Sequence, residues 1–231
     1  MMKIEHLFFD LDRTLWDFET NSYEELTNLY HVHFLHQLGI SLPDEFIKVY
    51  KKINESCWEK YRLNQLSKEK LRSERFLLTL EYFGISNNKL ATKIGEDYVN
   101  NSPFRTKLIP FTVELLNALK KYYKLHIITN GFEEVQYFKI KISGLDPYFD
   151  FVFTADQVGF KKPHPQIFIT ALEIAQTSAS SSIMIGDSYG ADIQGALAVG
   201  MQAIHFNSHH EAEHSHCPIV YSINEIKQIF I

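Results

Sequence analysis

Four short polar motifs, each following an apolar run, constrain this chain more than any other feature. Ile4 to Phe9 runs into Asp10-Leu11-Asp12-Arg13-Thr14, and Leu125 to Ile128 runs into Thr129-Asn130-Gly131. Lys162-Pro163 follows the run Phe151 to Thr154 at a distance, and Ser182 to Ile185 leads into Gly186-Asp187, with Asp192 beyond. Apolar runs of this length, alternating with segments of helical periodicity, predict an α/β fold, a Rossmann-like doubly wound parallel sheet. In such a sheet the carboxyl ends of the strands share one rim, and ligands gather there. The rim would then carry two carboxylates from one turn, a hydroxyl, an ammonium and a further acidic pair. That set suits Mg²⁺-assisted phosphoryl transfer through a covalent aspartyl-phosphate.

Between the first and second apolar runs lies a long stretch of purely helical periodicity. It predicts helices over 19–38, 43–64, 67–83 and 87–101, with Gly39, Pro43, Ser67 and Gly84 at stop or start positions. This block reads as a helical cap domain, residues 17–100, inserted into a core domain of residues 1–16 and 101–231. The core is expected to continue with helices over 110–123, 132–143, 163–175 and 192–199, and strands over 125–129, 151–154, 182–185, 202–206 and 219–221. Ser222-Ile223-Asn224-Glu225 has the form of a capping box opening a last helix.

The net charge of −5 argues against a nucleic-acid partner, which requires a basic field. Cys57 and Cys217 are far apart and show no metal or disulfide spacing, as in a reducing compartment. The apolar run before Asp10 is too short for a signal segment, and no stretch is long enough to cross a membrane. A cytoplasmic enzyme acting on a small phosphorylated metabolite is the expectation.

Taken in order, the four motifs resemble those of the haloacid dehalogenase superfamily, across the whole length of the chain. The resemblance implies a helical cap of the first type between motifs one and two, and a role for each motif residue. Asp10 would be the nucleophile, with one carboxylate oxygen on phosphorus and the other on Mg²⁺. Asp12 would protonate the leaving oxygen and then deprotonate the hydrolytic water, its backbone carbonyl serving as a second metal ligand. Thr129 and the backbone N–H of Asn130 would cradle the phosphoryl group. Lys162, directly before proline, would neutralise both Asp10 and the phosphate. Asp187 would ligate the metal. Asp192 would belong to the metal's outer shell or act as a helix-start acid. Arg13 departs from the glycine often found at its position, and Thr14 fits the phosphatase form of the motif rather than the mutase form. The second aspartate also separates the chain from dehalogenase-like members, which lack it.

Specificity should come from the cap. Trp58, Tyr61, Arg62 and Gln65 recur on one helix face, and Arg72 and Arg75 form a basic pair on the next helix. Trp58, Arg62 and Arg75 are therefore candidate substrate readers, the alternative for the aromatics being plain cap core. An aromatic face beside arginine suits a nucleobase. The opening Phe9-Asp10-Leu11-Asp12-Arg13-Thr14-Leu15-Trp16-Asp17-Phe18 resembles the non-canonical pyrimidine nucleotidases, which implies nucleoside 5′-monophosphate substrates. Sugar or glycolate phosphatase, phosphomutase and a non-catalytic binding module are the alternatives. His205, His209, His210, His214 and His216, with Glu211 and Glu213 among them, fit no standard metal spacing and read as a solvated loop.

Overall fold

The structure, a computed structural model, describes residues 3–210 and 212–231. Its elements are β1 (His6–Phe9), α1 (Phe18–Val32), α2 (Pro43–Arg62), α3 (Lys68–Tyr82), α4 (Asn88–Asn101), α5 (Thr112–Leu119), β2 (Lys124–Thr129), α6 (Glu133–Ile142), β3 (Phe151–Thr154), α7 (Ala155–Val158), α8 (Pro165–Ile174), β4 (Ser182–Gly186), α9 (Gln194–Ala198), β5 (Gln202–Phe206), β6 (Ile219–Val220) and α10 (Ile223–Phe230). Two compact units result, one of residues up to 18 and from 106 onward, the other of residues 19–105. Among the described residues, no helix is long and apolar enough to cross a membrane.

The first unit is a parallel sheet in the order β3-β2-β1-β4-β5-β6. Every residue of β1 is buried. Alternation along the strand sends its side chains to two cores. Leu7 and Phe9 join Leu115, Leu116 and Leu119 of α5 and Ile223 and Ile226 of α10. Phe8 joins Ile167, Phe168 and Ala171 of α8 on the other face. Each such side chain contributes about 1.5–3 kcal/mol by leaving water, which explains why the strands read as unbroken apolar runs. The chain builds β1, β2 and β3 to one side, then crosses back to lay β4, β5 and β6 on the other. The winding direction therefore reverses between β1 and β4, and the crevice beyond their carboxyl ends is the expected ligand position.

The chain leaves and rejoins this unit side by side. Asp17 N–H donates to the Lys107 carbonyl at 3.0 Å and Ile109 N–H to the Leu15 carbonyl at 2.9 Å, beside an antiparallel bridge between Trp16 and Leu108.

The second unit packs α1 to α4 around Leu26, Phe46, Tyr50, Phe76 and Ile94. Ser67 Oγ accepts the Lys70 N–H and Asn87 Oδ1 the Leu90 N–H, each satisfying an otherwise orphaned helix donor. The periodicity over 19–38 predicts one helix, but α1 stops at Val32. Phe34 turns into the left-handed region at φ 50°, and a short 3₁₀ turn over Leu35–Leu38 then buries Leu35. A bulky residue in that conformation has no local sequence signature. The four core helices predicted over 110–123, 132–143, 163–175 and 192–199 are all shorter than predicted. Phe111 at φ 69° delays α5 to Thr112, and α8 begins at Pro165 because 163–164 complete the turn after Lys162. The expected capping box does not form: Ser222 Oγ donates to Glu225 Oε1 at 2.8 Å instead of accepting a backbone N–H, and Glu225 Oε2 accepts the Tyr221 N–H at 3.3 Å.

His6 and His126, on neighbouring strands, form a buried pair with Nδ1 and Nε2 2.9 Å apart. Burial, joined by the neighbouring His6 and Lys124, lowers His126 to about 3. His6 is lowered as well, by burial and then Lys124, with Glu5 and Asp150 opposing. The native state thus binds fewer protons here than the unfolded chain. This contribution to stability is complete above the unfolded histidine pKa of about 6.5 and is lost as pH falls below it. Between pH 6.5 and 4, His126 alone should cost the native state on the order of 3 kcal/mol. Asp10, whose pKa is raised, contributes in the opposite sense. Urea unfolding at pH 7 and pH 5 should show a smaller loss on acidification in His6→Leu/His126→Leu than in the parent. Equal losses would show that the pair is not the cause.

Candidate active site

The reversal between β1 and β4 places the first and last motifs together. Phe9 pairs in register with Ile185, and Asp10 N–H donates to the Ile185 carbonyl at 2.9 Å. Asp10 and Asp187 consequently project from adjacent strand ends. The third acid arrives on a widened, π-type turn over Tyr189–Ile193, where the sequence suggests a simple helix start. That turn buries Asp192, and its Oδ2 accepts the Ser188 N–H at 3.0 Å. Gly186 is required beside it, because a Cβ there would lie 2.3 Å from Asp192 Oδ2. Asp10, Asp187 and Asp192 offer oxygens all within 4.8 Å of one another.

Lys162 supplies the opposing charge. Its side chain is 2% exposed, and Nζ lies 2.6 Å from Asp10 Oδ1, 2.7 Å from Asp192 Oδ1 and 2.6 Å from the Ile128 carbonyl. One ammonium therefore ties together β1, β2 and the turn after β4. Asn130 fixes the lysine's backbone from both sides: Oδ1 accepts the Lys162 N–H at 2.7 Å and Nδ2 donates to its carbonyl at 2.9 Å. This side-chain role of Asn130 is additional to the backbone N–H expected from the sequence. Thr129 is buried, and its Oγ1 accepts the Gly131 N–H at 3.1 Å.

Two buried acids, Asp10 and Asp192, and the half-buried Asp187 face one buried lysine, and the imbalance shows at Asp10 and Asp187. Burial pushes Asp10 up to about 7 against the pull of Lys162, with Asp192 and Asp12 adding repulsion. Burial also lifts Asp187 well above the usual carboxylate range, reinforced by Asp10 and Asp192. Burial disfavours the charge on Lys162, but Asp10 and Asp192 outweigh it and hold the ammonium above its ordinary pKa. An all-oxygen, excess-negative donor set of this kind fits a small hard divalent cation.

Asp12 lies apart from that cluster's contacts. Its Oδ1 takes Lys139 Nζ at 2.6 Å and its Oδ2 takes Gln136 Nε2 at 2.7 Å. Neither partner is among the residues the sequence motifs single out. The available signal was two polar residues, Gln136 and Lys139, three apart on the helix that follows motif two. Both are buried beside Ile140. Arg13 adopts φ 67°, which accounts for the glycine preference at its position, and its guanidinium stacks on Phe18 at 4.7 Å.

The histidine segment is not simply a solvated loop. His205 is a buried β5 residue whose Nε2 lies 2.9 Å from the Asp187 carbonyl, while its Nδ1 lies 3.0 Å from His214 Nε2. A carbonyl only accepts, so His205 donates through Nε2, which makes the neutral ring's Nδ1 the acceptor of the His214 N–H. The array braces the Asp187 loop. Among the described residues no histidine joins a metal-holding group. Glu211 lies outside the described residues.

Within the helical unit, Trp58 is partly exposed and meets Tyr61 edge-on at 5.5 Å. Arg62 reaches Glu55 at 3.4 Å. Arg75 does not stand at the surface as a reader. It is 3% exposed among Tyr50, Phe76 and Tyr98, and donates to Asn54 Oδ1 at 2.9 Å. Its guanidinium stem and ring contacts make it part of that unit's aromatic core.

A doubly wound sheet with this acid–lysine cluster at its reversal point defines the class. Residues 4–200 match the haloacid dehalogenase-like hydrolase family. The chain belongs to that family and is a hydrolase. It is 31% identical to pyrimidine 5′-nucleotidase YjjG of Escherichia coli over 99% of this chain and 98% of the relative. It is 30% identical to glyceraldehyde 3-phosphate phosphatase of Methanothermobacter thermautotrophicus over 98% and 99%. The crystal structure of the HAD-hydrolase YfnB from Bacillus subtilis, bound to magnesium, matches with a TM-score of 0.87, 26% identity and 99% coverage of both chains.

Proposed function

We propose that this hydrolase is a Mg²⁺-dependent phosphatase that works through an aspartyl-phosphate on Asp10, with nucleoside 5′-monophosphates as substrates. The observation that carries the chemistry is the Asp10 carboxylate paired with Lys162 inside the acid cluster. Asp10 attacks phosphorus, the ester P–O bond breaks, and Asp12 gives its proton to the leaving oxygen. The Asp12 carboxylate then takes a proton from water. The resulting hydroxide attacks phosphorus, and phosphate leaves Asp10 free. Lys162 neutralises charge on Asp10 and on the phosphoryl group, while Thr129 and the Asn130 N–H orient its oxygens. Bound Mg²⁺ would screen the phosphoryl oxygens, held by Asp10, Asp187 and the Asp12 carbonyl. Asp192 Oδ2 accepts the Ser188 N–H, while Oδ1 is ion-paired with Lys162 but accepts no hydrogen bond, so it keeps a lone pair for the metal or for a water bound to it. Chelator should abolish activity and Mg²⁺ restore it, whereas Ca²⁺, with its looser coordination, should inhibit. Full activity in chelator with nil metal content would refute the metal requirement.

The likeness to the Escherichia coli nucleotidase and the Trp58–Tyr61 pair support a nucleotide substrate. The comparable likeness to the archaeal glyceraldehyde 3-phosphate phosphatase supports a sugar-phosphate reading. Phosphate release with Mg²⁺ separates the two. Uridine and thymidine 5′-monophosphates should outperform glyceraldehyde 3-phosphate, glucose 6-phosphate and 2-phosphoglycolate. Stacking of a base on an aromatic ring gains about 1–3 kcal/mol, so Trp58→Ala should shrink the preference by roughly 5- to 100-fold. If sugar phosphates win in the parent, the nucleotidase assignment is wrong. If all substrates fall equally in Trp58→Ala, the ring is packing only.

A further inference from the structure

We propose that Lys139 and Gln136 are positioning residues that lock the Asp12 carboxylate in the orientation its acid–base work needs. The inference rests on the role given to Asp12 above and extends it to two residues no motif contains. The geometry is specific. Each Asp12 oxygen has its own donor, Lys139 Nζ at 2.6 Å and Gln136 Nε2 at 2.7 Å, so both side-chain torsions of Asp12 are fixed at once. The donors are spaced i, i+3 on α6 and therefore share one face. Asp12 is itself partly exposed, its side chain 26% accessible, so packing alone does not hold it.

Three further observations show that this clamp is built rather than incidental. The Lys139 side chain is 5% exposed, and its ammonium sits 3.8 Å from the centre of the Trp16 ring. Withdrawing a lysine charge from water is expensive unless it is paired, and Asp12 and the indole face are its partners here. Trp16 is tied to the same loop, because Arg13 N–H donates to the Trp16 carbonyl at 2.9 Å. Lastly, Gln136 reaches Asp12 through space that motif two leaves open. A Cβ on Gly131 would lie 1.5 Å from Gln136 Nε2. The glycine of Thr129-Asn130-Gly131 is therefore the gap through which α6 holds the acid of motif one.

The test uses leaving groups. An alkoxide leaving from a nucleoside 5′-monophosphate needs a proton, whereas p-nitrophenolate does not. Rapid-quench measurement of the first turnover isolates P–O cleavage from the later hydrolysis. Lys139→Met and Gln136→Leu should each slow first-turnover cleavage of uridine 5′-monophosphate by about 10- to 100-fold, part of the 10²- to 10⁴-fold typical of general acid catalysis. First-turnover release of p-nitrophenolate should change by less than about 3-fold, and Lys139→Arg should recover most of the nucleotide rate. Equal losses on both esters, or no loss on either, in folded variants overturns the proposal. Should Lys139→Met not fold, Gln136→Leu and Gly131→Ala carry the same test from the other donor. Asp12→Asn is the reference. If it shows the leaving-group split and the clamp variants do not, positioning fails and the acid role stands. If Asp12→Asn shows no split, or the parent cleaves neither ester, the acid role fails and the proposal with it.

Discussion

Asp10→Asn should give a folded protein that does not turn over phosphate monoesters, with a loss of at least about 10⁴-fold, as expected when a covalent nucleophile is removed. The amide keeps the shape of the side chain and its carbonyl oxygen can still accept from Lys162. It cannot attack phosphorus as an anion. Stability should hold or rise, because the substitution removes one of three crowded acids, two of them buried, that face a single lysine. The measurement is phosphate release from freshly purified protein, paired with thermal unfolding. Substantial turnover by a folded variant would end the covalent mechanism. A variant that fails to fold would contradict the electrostatic reading of the cluster.

Lys162→Met should lose activity by about 10²- to 10³-fold, the range seen when a preorganised electrostatic group aimed at a reacting centre is deleted. Unlike Asp10→Asn it should also destabilise the fold. The ammonium meets Asp10, Asp192 and the Ile128 carbonyl, and its loss leaves buried acids without their cation. Breaking a buried pair in this one-sided way typically costs about 3–5 kcal/mol. The double variant Asp10→Asn/Lys162→Met should recover part of that loss, since fewer buried charges then lack a partner. Denaturant titrations of the four proteins check it. Strict additivity of the two single effects would show that Asp10 and Lys162 are not energetically coupled.

The sheet was legible because its strands bury both faces and so appear as unbroken apolar runs. Within it, Asp10, Thr129 and Asp187 stand where strands stop, and that placement follows from the runs themselves, whereas Lys162 lies beyond β3 and the short α7 and is marked only by the proline after it. Helix ends were less legible. Phe34 and Phe111 take left-handed conformations that their side chains do not advertise, so α1 and α5 are shorter than their periodicity suggests. Arg75 was misplaced for a different reason. A charged residue in a helical pattern reads as surface, and only the rings of Tyr50, Phe76 and Tyr98 around it show that it is interior. Gln136 and Lys139 escaped notice because their partner, Asp12, is more than a hundred residues earlier. No local pattern joins a helix face to a loop that distant. His205 was hidden likewise, since its partner is the Asp187 backbone rather than another motif side chain.

The side-by-side departure and return of the chain at Asp17 and Lys107 bears on how this architecture diversifies. For the sheet unit, residues 19–105 amount to one long excursion whose two ends are already stitched together. The entropy of closing such an excursion grows only with the logarithm of its length. Lengthening, shortening or wholesale exchange of the inserted helices is therefore nearly neutral for the sheet, provided the stitch at Leu15–Asp17 and Lys107–Ile109 is kept. The four motifs can stay fixed while the segment between the first two is rewritten. A graft made at these two points, rather than inside either unit, is the one with the least effect on the placement of Asp10.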